Sequence, residues 1–472
     1  MFFANKFETW IYTAAVALRV LLLFYIAMQF GNDLLITPFG DGPKYFRLAT
    51  SIVEGQGFVD SEISGLPESM RPPGYPLFEA FFLWLSAPLW AAVIVQILVV
   101  SWAPIVAMRL ARLFALPSGM ERLTGYFMAF EPLQILYSTT LSSDSFGMFL
   151  FLLGTYYLAR FWQEKDRMAL GLAAFCFGFF NYFRSLGIYL GFLIAFLLFC
   201  CGIARLRPWR EMRFGATVFV IIFSALLLPW MLRNYVTFGS FAFTSALERH
   251  LYDYLGSALV AARDKITFEE ARTKTLGEIK PFLPEPDDLY SFKNSEVFRA
   301  RAIPLILGHK KELVKLYPLA WSTFFLSGNY HYLGYRLGFI EKPQEGFQSF
   351  TLLFVSASFR ESWDALARFI KEPYGLVALL GRVFWVALFV GSCYGAIRIW
   401  RRYPSARFLA ILYALLVLYS SVLVVTTLGG LEARHRLFLN PFIFLFASAG
   451  IYFVIESWHA RRRIVAQVPS KA

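Results

Sequence analysis

The stretch GIYLGFLIAFLLFCCGI at residues 187–203 contains no charged side chain. It is followed by the arginine-rich stretch RLRPWREMR at residues 205–213, and then by a second apolar run, FGATVFVIIFSALLLPWML, at residues 214–232. A helix needs about 20 apolar residues to cross the hydrocarbon core of a bilayer. Loops rich in Lys and Arg stay on the cytoplasmic side. The order apolar, basic, apolar therefore predicts two membrane-spanning helices joined by a short cytoplasmic loop.

The composition of the whole chain agrees with this local pattern. Of the 472 residues, 58% are hydrophobic and only 16% are charged, and the mean hydropathy is +0.54. These values exclude a soluble enzyme. The formal charge of +13 does not indicate a nucleic-acid partner, because the basic residues form short clusters between apolar runs.

Further apolar runs predict an all-α polytopic membrane protein with about ten, and at most twelve, transmembrane helices. The ten expected spans lie near residues 10–30, 90–110, 123–138, 145–162, 168–184, 187–203, 214–232, 376–398, 408–427 and 437–457. With Lys6 inside, the basic clusters between these spans all fall on the cytoplasmic side. Both termini are then cytoplasmic.

Two long segments remain on the outer, periplasmic side, at residues 31–89 and 233–375. We therefore divide the chain into an N-terminal transmembrane catalytic module (1–232, including outer loop 31–89), an outer loop region (233–375), and C-terminal transmembrane helices with a basic tail (376–472). The first loop contains the apolar run 75–90, which is broken by Pro88 and too short to cross alone, so we interpret it as an interfacial helix. We expect the stretch 302–325 to lie on the outer leaflet in the same way, because it carries a basic cluster.

Two aspartates are candidate catalytic groups at the outer face. Asp41 opens the stretch DGPKYFRLA at residues 41–49, and Asp144 lies in TLSSDSF at residues 140–146, where the fourth span begins. A carboxylate at this boundary can accept a proton from a hydroxyl, and a pair of them can share a divalent cation. The structural alternative is helix capping, since Asp is a favoured N-cap residue and Pro43 suits a first turn.

Five arginines are exceptions to the rule that basic residues stay on the cytoplasmic side, because the predicted topology places them on the outer side. They are Arg71, Arg184, Arg233, Arg434 and Arg436. Arginine forks match phosphate oxygens, so the set predicts a phosphate site at the membrane surface. The alternative for each one is an ion pair with an outer carboxylate or a lipid head group.

Other cofactor signatures are missing from the sequence. The five histidines show no metal-ligand spacing, and there is neither a Walker loop nor a Rossmann glycine pattern. We therefore expect no histidine-bound zinc and no nucleotide cofactor. A requirement for a divalent cation is left open.

Several motifs, in this order, resemble glycosyltransferase family 39 and its relatives. The motifs are DGPKYFRLA (41–49), GQGF (55–58), RPPGYPLF (71–78), LSSD (141–144), PWMLRNY (229–235) and EARHRL (432–437). These relatives include protein O-mannosyltransferases and lipid A aminoarabinose transferases and have the GT-C fold. The resemblance runs from about residue 10 to residue 455 and is weakest between 250 and 375.

The resemblance implies inverting transfer of a sugar from a polyprenyl-phosphate donor. Asp41 takes the place of the family's general base, and Asp144 matches a second acidic position that is often Glu in relatives. Many relatives carry an Asp-Glu pair at the first site, whereas this chain has Asp41 followed by Gly42. The residues that match basic positions near the donor phosphate are Arg71, Arg184, Arg233 and Arg434. Tyr45, Tyr75 and Arg436 are candidates for substrate contacts.

We therefore expect a multi-pass glycosyltransferase of the bacterial inner membrane, with its active site on the periplasmic face. Its partners would be a polyprenyl-phosphate-sugar donor, an acceptor that is a glycan, glycolipid or protein, and membrane lipids, but no nucleic acid. The alternatives are an O-antigen polymerase or ligase, and a transporter or flippase of lipid-linked sugars. A transporter predicts internal repeats and charges along an intramembrane path. The sequence has no such repeat, and we interpret Arg19 in the first span as snorkelling to the surface.

Overall fold

The computed structural model of the chain describes residues 3–30, 41–60, 65–330, 333–334, 337–340, 363, 366–367, 371–426 and 433–467. Over these residues the regular elements are helices, with one isolated bridge between Val59 and Pro67. The first half contains α1 (Lys6–Phe30), α2 (Gly42–Val53), α3 (Gly74–Trp84), α4 (Leu89–Val100), α5 (Ala103–Leu113), α6 (Ser118–Phe130), α7 (Pro132–Ser138), α8 (Ser143–Glu164), α9 (Arg167–Phe180), α10 (Ile188–Ile203) and α11 (Trp209–Phe238). The second half contains α12 (Ala246–His250), a π-helix (Leu251–Gly256), α13 (Ser257–Asp264), α14 (Phe268–Ile279), α15 (Ser295–Gly308), α16 (Lys310–Leu326), α17 (Pro373–Arg402), α18 (Arg407–Thr426) and α19 (Asn440–Gln467).

Within the described residues, seven helical segments are long and apolar enough to cross a membrane. They are Lys6–Gln29, Leu89–Leu113, Ser185–Ile203, Trp209–Phe238, Pro373–Arg402, Pro404–Leu423 and Asn440–Ala460. Each coincides with an expected span, so the all-helical membrane class is confirmed, but the count of about ten is not.

The three other expected spans lie on helices that do not meet these criteria, for different physical reasons. The span at 123–138 is interrupted between α6 and α7, because Glu131 has extended backbone and Pro132 follows it. Helix α8 has 22 residues but carries Asp144 and Arg160, and α9 has only 14 residues. Hydropathy along the sequence did not distinguish these three regions from the seven long, apolar helices.

The two expected interfacial regions of the chain are also helical and short. Helix α3 buries Tyr75 and Glu79 while Phe81 and Trp84 are exposed. The stretch 302–325 is divided between α15 and α16 at His309, and neither helix is among the candidate spans. Their position at a membrane surface stays a prediction.

One large core joins most of the helices, and small residues permit the closest contacts. Helices α17 and α19 pack so tightly that a Cβ atom at Gly395 would collide with the carbonyl oxygen of Phe446. The same applies to Gly450 against Gly391. Close approach at small residues is a main source of helix association in membranes, where no hydrophobic driving force acts between helices.

Ion pairs join the helices at the end of the molecule that we expect to be cytoplasmic. Glu8 is fully buried and accepts from Arg109 at 2.7 Å and from Arg112 at 3.0 Å. Helix α1 starts beside this cluster and spans about 1.5 Å per residue. The C-terminal end of α1, at Phe30, therefore lies toward the opposite end of the molecule.

Arg19 does not snorkel, and our interpretation of it was wrong. Its side chain is buried and donates to Ser138 Oγ at 3.0 Å and to the carbonyl oxygen of Ala129 at 3.1 Å. Ala129 lies at the end of α6 and Ser138 at the end of α7, so the guanidinium is held inside the protein rather than at the lipid surface.

Candidate active site

A cavity of about 490 Å³ opens at the end of the molecule opposite the Glu8 cluster. Segments between the long helices line it, together with parts of residues 246–326, which we call the cap. The cap contributes α12, Tyr254 of the π-helix, Tyr290 and Phe324 of α16. The charged and polar lining residues include Asp41, Tyr45, Arg71, Arg184, Thr244, Glu248, His250, Tyr254, Tyr290, Arg434 and His435. Residues that are more than 390 positions apart in the sequence thus meet in one site.

Asp41 occupies the N-cap position of α2 but does not act as a cap. Its side chain makes no capping hydrogen bond. Instead, Asp41 Oδ1 accepts from Arg71 Nη2 at 2.6 Å, and Oδ2 lies 3.7 Å from Arg434 Nη1. Burial alone would raise the pKa of Asp41, but the charges of Arg71 and Arg434 outweigh it and hold the pKa well below its usual range. Asp41 is therefore ionised at neutral pH.

Arg71 is held in place by the short segment that precedes α3. Glu68 Oε1 accepts from the backbone N–H groups of Met70 at 2.8 Å and Arg71 at 3.0 Å. The other oxygen of Glu68 pairs with Lys44 at 2.5 Å. Burial opposes the charge on Arg71, but Asp41 and Glu68 outweigh it and raise the pKa of the guanidinium. Pro72 and Pro73 follow directly, so the backbone at this position has little freedom.

Behind Asp41, a second carboxylate positions a second arginine. Asp144 is buried at the start of α8, where Ser142 Oγ donates to its Oδ2 at 2.7 Å. Asp144 Oδ1 lies 3.0 Å from Arg184 Nη1, and Arg184 Nη2 lies 2.7 Å from Nδ1 of His435. Asp144 does not line the cavity, whereas Arg184 and His435 do. Asp144 is therefore placed to orient Arg184 and not to contact a substrate directly.

The two candidate tyrosines lie one behind the other. Tyr45 lines the cavity, and its hydroxyl is 3.0 Å from Ser143 Oγ. Tyr75 is 1% exposed and packs against Tyr45, with ring centroids 5.2 Å apart. Its hydroxyl donates to Gln96 Oε1 at 2.9 Å and accepts from the N–H of Ser142 at 2.8 Å. Tyr75 thus packs behind Tyr45 and does not itself line the cavity.

Two of the five predicted arginines lie outside the cavity. Arg233 Nη1 donates to the carbonyl oxygen of Glu68 at 2.8 Å, and its guanidinium carbon is 4.7 Å from the centroid of the Trp230 ring. Arg436 is fully buried, 3.6 Å from the centroid of the Trp385 ring, and Nη2 donates to the carbonyl oxygen of Ser327 at 2.9 Å. Both guanidinium groups thus donate to backbone carbonyl oxygens of the protein itself. Arg71, Arg184 and Arg434 form the cluster that can meet an anion.

The sequence reasoning missed several lining residues of the cap and of the last outer loop. The sequence identifies His435 only as part of the EARHRL motif, and His250 only as one of five histidines without metal-ligand spacing. A π-helix begins at Leu251, directly after His250, and contains Tyr254. The side chains of His250 and Tyr254 both line the cavity, and their ring centroids are 5.1 Å apart. Such π-helices often mark functional sites. The sequence carries no signal for this one.

No cluster of three or more His, Cys, Asp or Glu side chains suited to a metal ion is present in the part of the chain that the structure describes. Asp41 is paired with Arg71 and Arg434, and Asp144 is paired with Arg184.

The fold and this site define a membrane protein of the GT-C type. Residues 70–230 match the family model described as dolichyl-phosphate-mannose-protein mannosyltransferase, which confirms the resemblance predicted from the motifs. A search of curated protein sequences finds no match to the chain.

One solved structure with a TM-score above 0.5 supports the fold. The apo oligosaccharyltransferase of Archaeoglobus fulgidus aligns with 100% of this chain at 12% identity and a TM-score of 0.51. The chain spans only about half of that protein, 53% of its length. The oligosaccharyltransferase AglB of the same organism, in complex with an inhibitory peptide and a dolichol-phosphate, aligns with 99% of this chain and 53% of its own, at 12% identity and a TM-score of 0.48. ArnT from Cupriavidus metallidurans, bound to undecaprenyl phosphate, aligns over 97% of this chain and 81% of its own, at 12% identity and a TM-score of 0.36.

Proposed function

We propose that this protein is a glycosyltransferase that moves a sugar from a polyprenyl-phosphate donor to an acceptor hydroxyl at the outer face of the membrane. The observation that carries the proposal is the meeting of one ionised carboxylate, Asp41, with three guanidinium groups in a single cavity. A carboxylate can take the proton of an attacking hydroxyl, and fixed arginines can stabilise a departing phosphate.

The charge of the cavity suits a phosphate monoanion or dianion. Arg71 and Arg434 share one carboxylate, Asp41, and Arg184 is paired with Asp144 behind the wall. The cavity itself is lined by these three arginines and by the carboxylates Asp41 and Glu248. A bound phosphate can satisfy the forks of the guanidinium groups.

The opposite wall of the cavity is apolar and suits a lipid tail. It is built by the start of α10, the end of α11 and the last turns of α18; the side chains are Ile188, Tyr189, Met231, Phe241, Tyr419 and Leu423. Tyr189 and Phe241 are 60% and 52% exposed, so this wall reaches the outer surface of the protein. A polyprenyl chain can enter from the bilayer along this wall while its phosphate stays at the arginines.

The chemistry follows from these positions. The acceptor oxygen attacks the anomeric carbon and its proton passes to Asp41, while the bond from that carbon to the phosphate oxygen breaks and both electrons stay with polyprenyl phosphate. Attack opposite the leaving group inverts the anomeric centre. In the free protein Arg71 and Arg434 are engaged with Asp41, and a donor phosphate competes for them. Donor binding therefore makes Asp41 a stronger base, which favours transfer only when the donor is present.

The two alternative functions find less support in the described residues. A lipid-linked-sugar flippase needs a polar path across the membrane, but the charged groups of this cavity lie at one end of the long helices. An O-antigen polymerase or ligase also handles lipid-linked glycans, and the choice of acceptor separates it from the proposed enzyme. We further propose a multi-pass location in a bacterial inner membrane, with the cavity periplasmic and both termini cytoplasmic.

A donor assay with purified protein tests the proposal. We expect sugar transfer from a polyprenyl-phosphate sugar and none from a nucleotide sugar. Arg71→Ala should lower kcat/KM for the donor about ten- to hundredfold, since charge-assisted bonds of this kind contribute about 1.5–3 kcal/mol. Arg299→Ala is the matched control, because Arg299 is exposed on α15 and does not line the cavity. Efficient use of a nucleotide sugar by the purified protein would refute the donor class, and equal losses in the two variants would refute the role of the arginine cluster.

A further inference from the structure

A hydrogen-bonded chain of four side chains ends at the cavity with His435. It runs from Ser142 through Asp144 and Arg184, with links of 2.7 Å, 3.0 Å and 2.7 Å. The four residues come from the start of α8, the turn after α9, and the short 3-10 helix Ala433–Arg436. The last link joins Arg184 Nη2 to Nδ1 of the His435 ring.

This last link determines the tautomer of His435. A guanidinium group only donates hydrogen bonds and keeps its proton at any ordinary pH. Nδ1 of His435 must therefore accept, and the proton of the neutral ring lies on Nε2. Burial and the charges of Arg434 and Arg184 also hold the pKa of His435 well below its usual value, so the ring stays neutral.

The Nε2–H group is available for a ligand. His435 lines the cavity and is only partly buried, and the hydrogen bonds of the described residues include none to Nε2. Its neighbours around the cavity are the charged groups Asp41, Arg184 and Arg434 and the ring of His250. The neutral N–H donor of His435 therefore lies within the arginine cluster, and the Asp144–Arg184 ion pair orients its ring.

We propose that His435 donates a hydrogen bond from Nε2 to the leaving phosphate oxygen in the transition state. This inference rests on the proposed function. As the bond from the anomeric carbon to the phosphate oxygen breaks, that oxygen gains the electron pair and the lipid phosphate gains one negative charge. The proton of the acceptor passes to Asp41, and His435 keeps its own proton. Because the phosphate charge grows during the step, a preorganised donor stabilises the transition state more than the bound donor lipid.

Two substitutions of similar size separate this role from a purely structural one. In His435→Gln the side-chain amide can place an N–H near the Nε2 position, but it loses the acceptor for Arg184. In His435→Asn the shorter amide can keep an acceptor near Nδ1, but nothing reaches the Nε2 position. Loss of one such donor typically lowers kcat by about 10²–10³-fold.

We expect His435→Asn to lower kcat about 100-fold with a small change in KM for the polyprenyl-phosphate sugar, and His435→Gln to stay within about tenfold of wild type. A structural role in holding Arg184 predicts the reverse order. Asn equal to or better than Gln, or two variants as active as wild type, would overturn the assignment.

Inhibition by polyprenyl phosphate gives a second readout that does not depend on fast turnover. This product carries the extra charge, so its inhibition constant should rise about tenfold in His435→Asn while KM for the donor changes little. An unchanged inhibition constant would argue against the hydrogen bond. If wild-type protein transfers no sugar from the lipid donor, the proposed function fails; if wild type is active and the variants behave alike, only this inference fails.

Discussion

At the scale of single residues, Asp41 has two possible explanations: a local one, helix capping, and a tertiary one, pairing with distant arginines. Its position before Pro43 at the start of α2 is typical of a helix cap, yet its carboxylate makes no capping bond and instead accepts from Arg71 at 2.6 Å. The helix starts without help from this side chain. A substitution at Asp41 should therefore affect chemistry more than helix formation.

We predict that Asp41→Asn abolishes transfer and leaves the protein folded, because the amide is nearly isosteric but cannot accept a proton. Loss of a general base typically lowers kcat by about 10²–10⁴-fold. Steady-state kinetics and thermal unfolding in detergent measure the two effects. Asp287→Asn is the control, since the side chain of Asp287 is 91% exposed. Turnover of Asp41→Asn near the wild-type rate would remove Asp41 from the role of base.

The pKa shifts in the cavity predict a flat pH profile on the acid side. A carboxyl whose pKa is lowered stays ionised until the pH falls below its usual value of about 4. Asp41 is such a group, and burial together with Arg249 lowers the pKa of His250 to about 4. We expect kcat/KM for the donor to change less than about threefold between pH 5 and pH 8.

Asp288 provides the control for this profile. Burial, with a contribution from Glu68, raises the pKa of Asp288 to about 6, and Asp288 lines a separate surface pocket beside Lys44. A decline of activity near pH 6 that disappears in Asp288→Asn would come from that pocket. A decline that persists in Asp288→Asn would show that Asp41 is not the low-pKa base described here.

At the scale of elements, all three arginines of the cavity come from non-helical or 3-10 segments between the long helices. Arg71 precedes α3, Arg184 follows α9, and Arg434 lies in the 3-10 helix Ala433–Arg436. Two of these segments are joined by a backbone hydrogen bond, from the N–H of Gly74 to the carbonyl oxygen of Tyr182 at 2.8 Å. The relative position of Arg71 and Arg184 therefore depends on this contact.

We predict that Gly74→Ala displaces both arginines. A Cβ atom at this position would lie 2.5 Å from the carbonyl oxygen of Tyr182, which is backbone and cannot rotate away. Overpacking of this kind costs about 1–3 kcal/mol, so the melting temperature and kcat should both fall. Gly277→Ala is the matched control, because Gly277 is exposed within α14 and its Cβ would meet nothing within 4 Å. Equal behaviour of the two variants would show that the contact is unimportant.

At the scale of the whole molecule, charge is divided between the two ends of the long helices. Arg109 and Arg112 bind Glu8 at one end, where Arg402 also pairs with Glu456. The arginine cluster of the cavity lies at the other end, where carboxylates and the cap enclose it. Basic loops at one end and a functional cavity at the other are what insertion with the positive end inside produces.

Topology can be tested by labelling in spheroplasts with an impermeant thiol reagent, in a background where the four native cysteines are replaced. We expect Asp287→Cys in the cap to react in intact spheroplasts, because its side chain is 91% exposed and the cap is outside. Arg401→Cys, exposed at the end of α17, should react only after the membrane is opened. The reverse pattern would place the cavity on the cytoplasmic side.

The sequence alone determined the class of the protein, because membrane insertion reads local hydropathy and the charge of short loops. Residues 187–203 and 214–232 need no partner to be recognised as helices of a bilayer, and both coincide with candidate spans of the structure. The order of the motifs was also sufficient to predict the resemblance and the GT-C fold. The number of spans was not determined this way, since Glu131 and Pro132 interrupt a helix inside a run that is otherwise apolar.

Only the tertiary structure decided which of the outer residues share a site. Arg71, Arg184 and Arg434 meet in one cavity, whereas Arg233 and Arg436, with the same local signal, bind backbone oxygens elsewhere. Asp144 pairs with Arg184, and His435 lies within hydrogen-bond distance of that same arginine, 251 positions away in the sequence. The physical reason is that a guanidinium or imidazole takes its function from the groups that surround it in space, and those groups are brought together by helix packing over distances that no local pattern records.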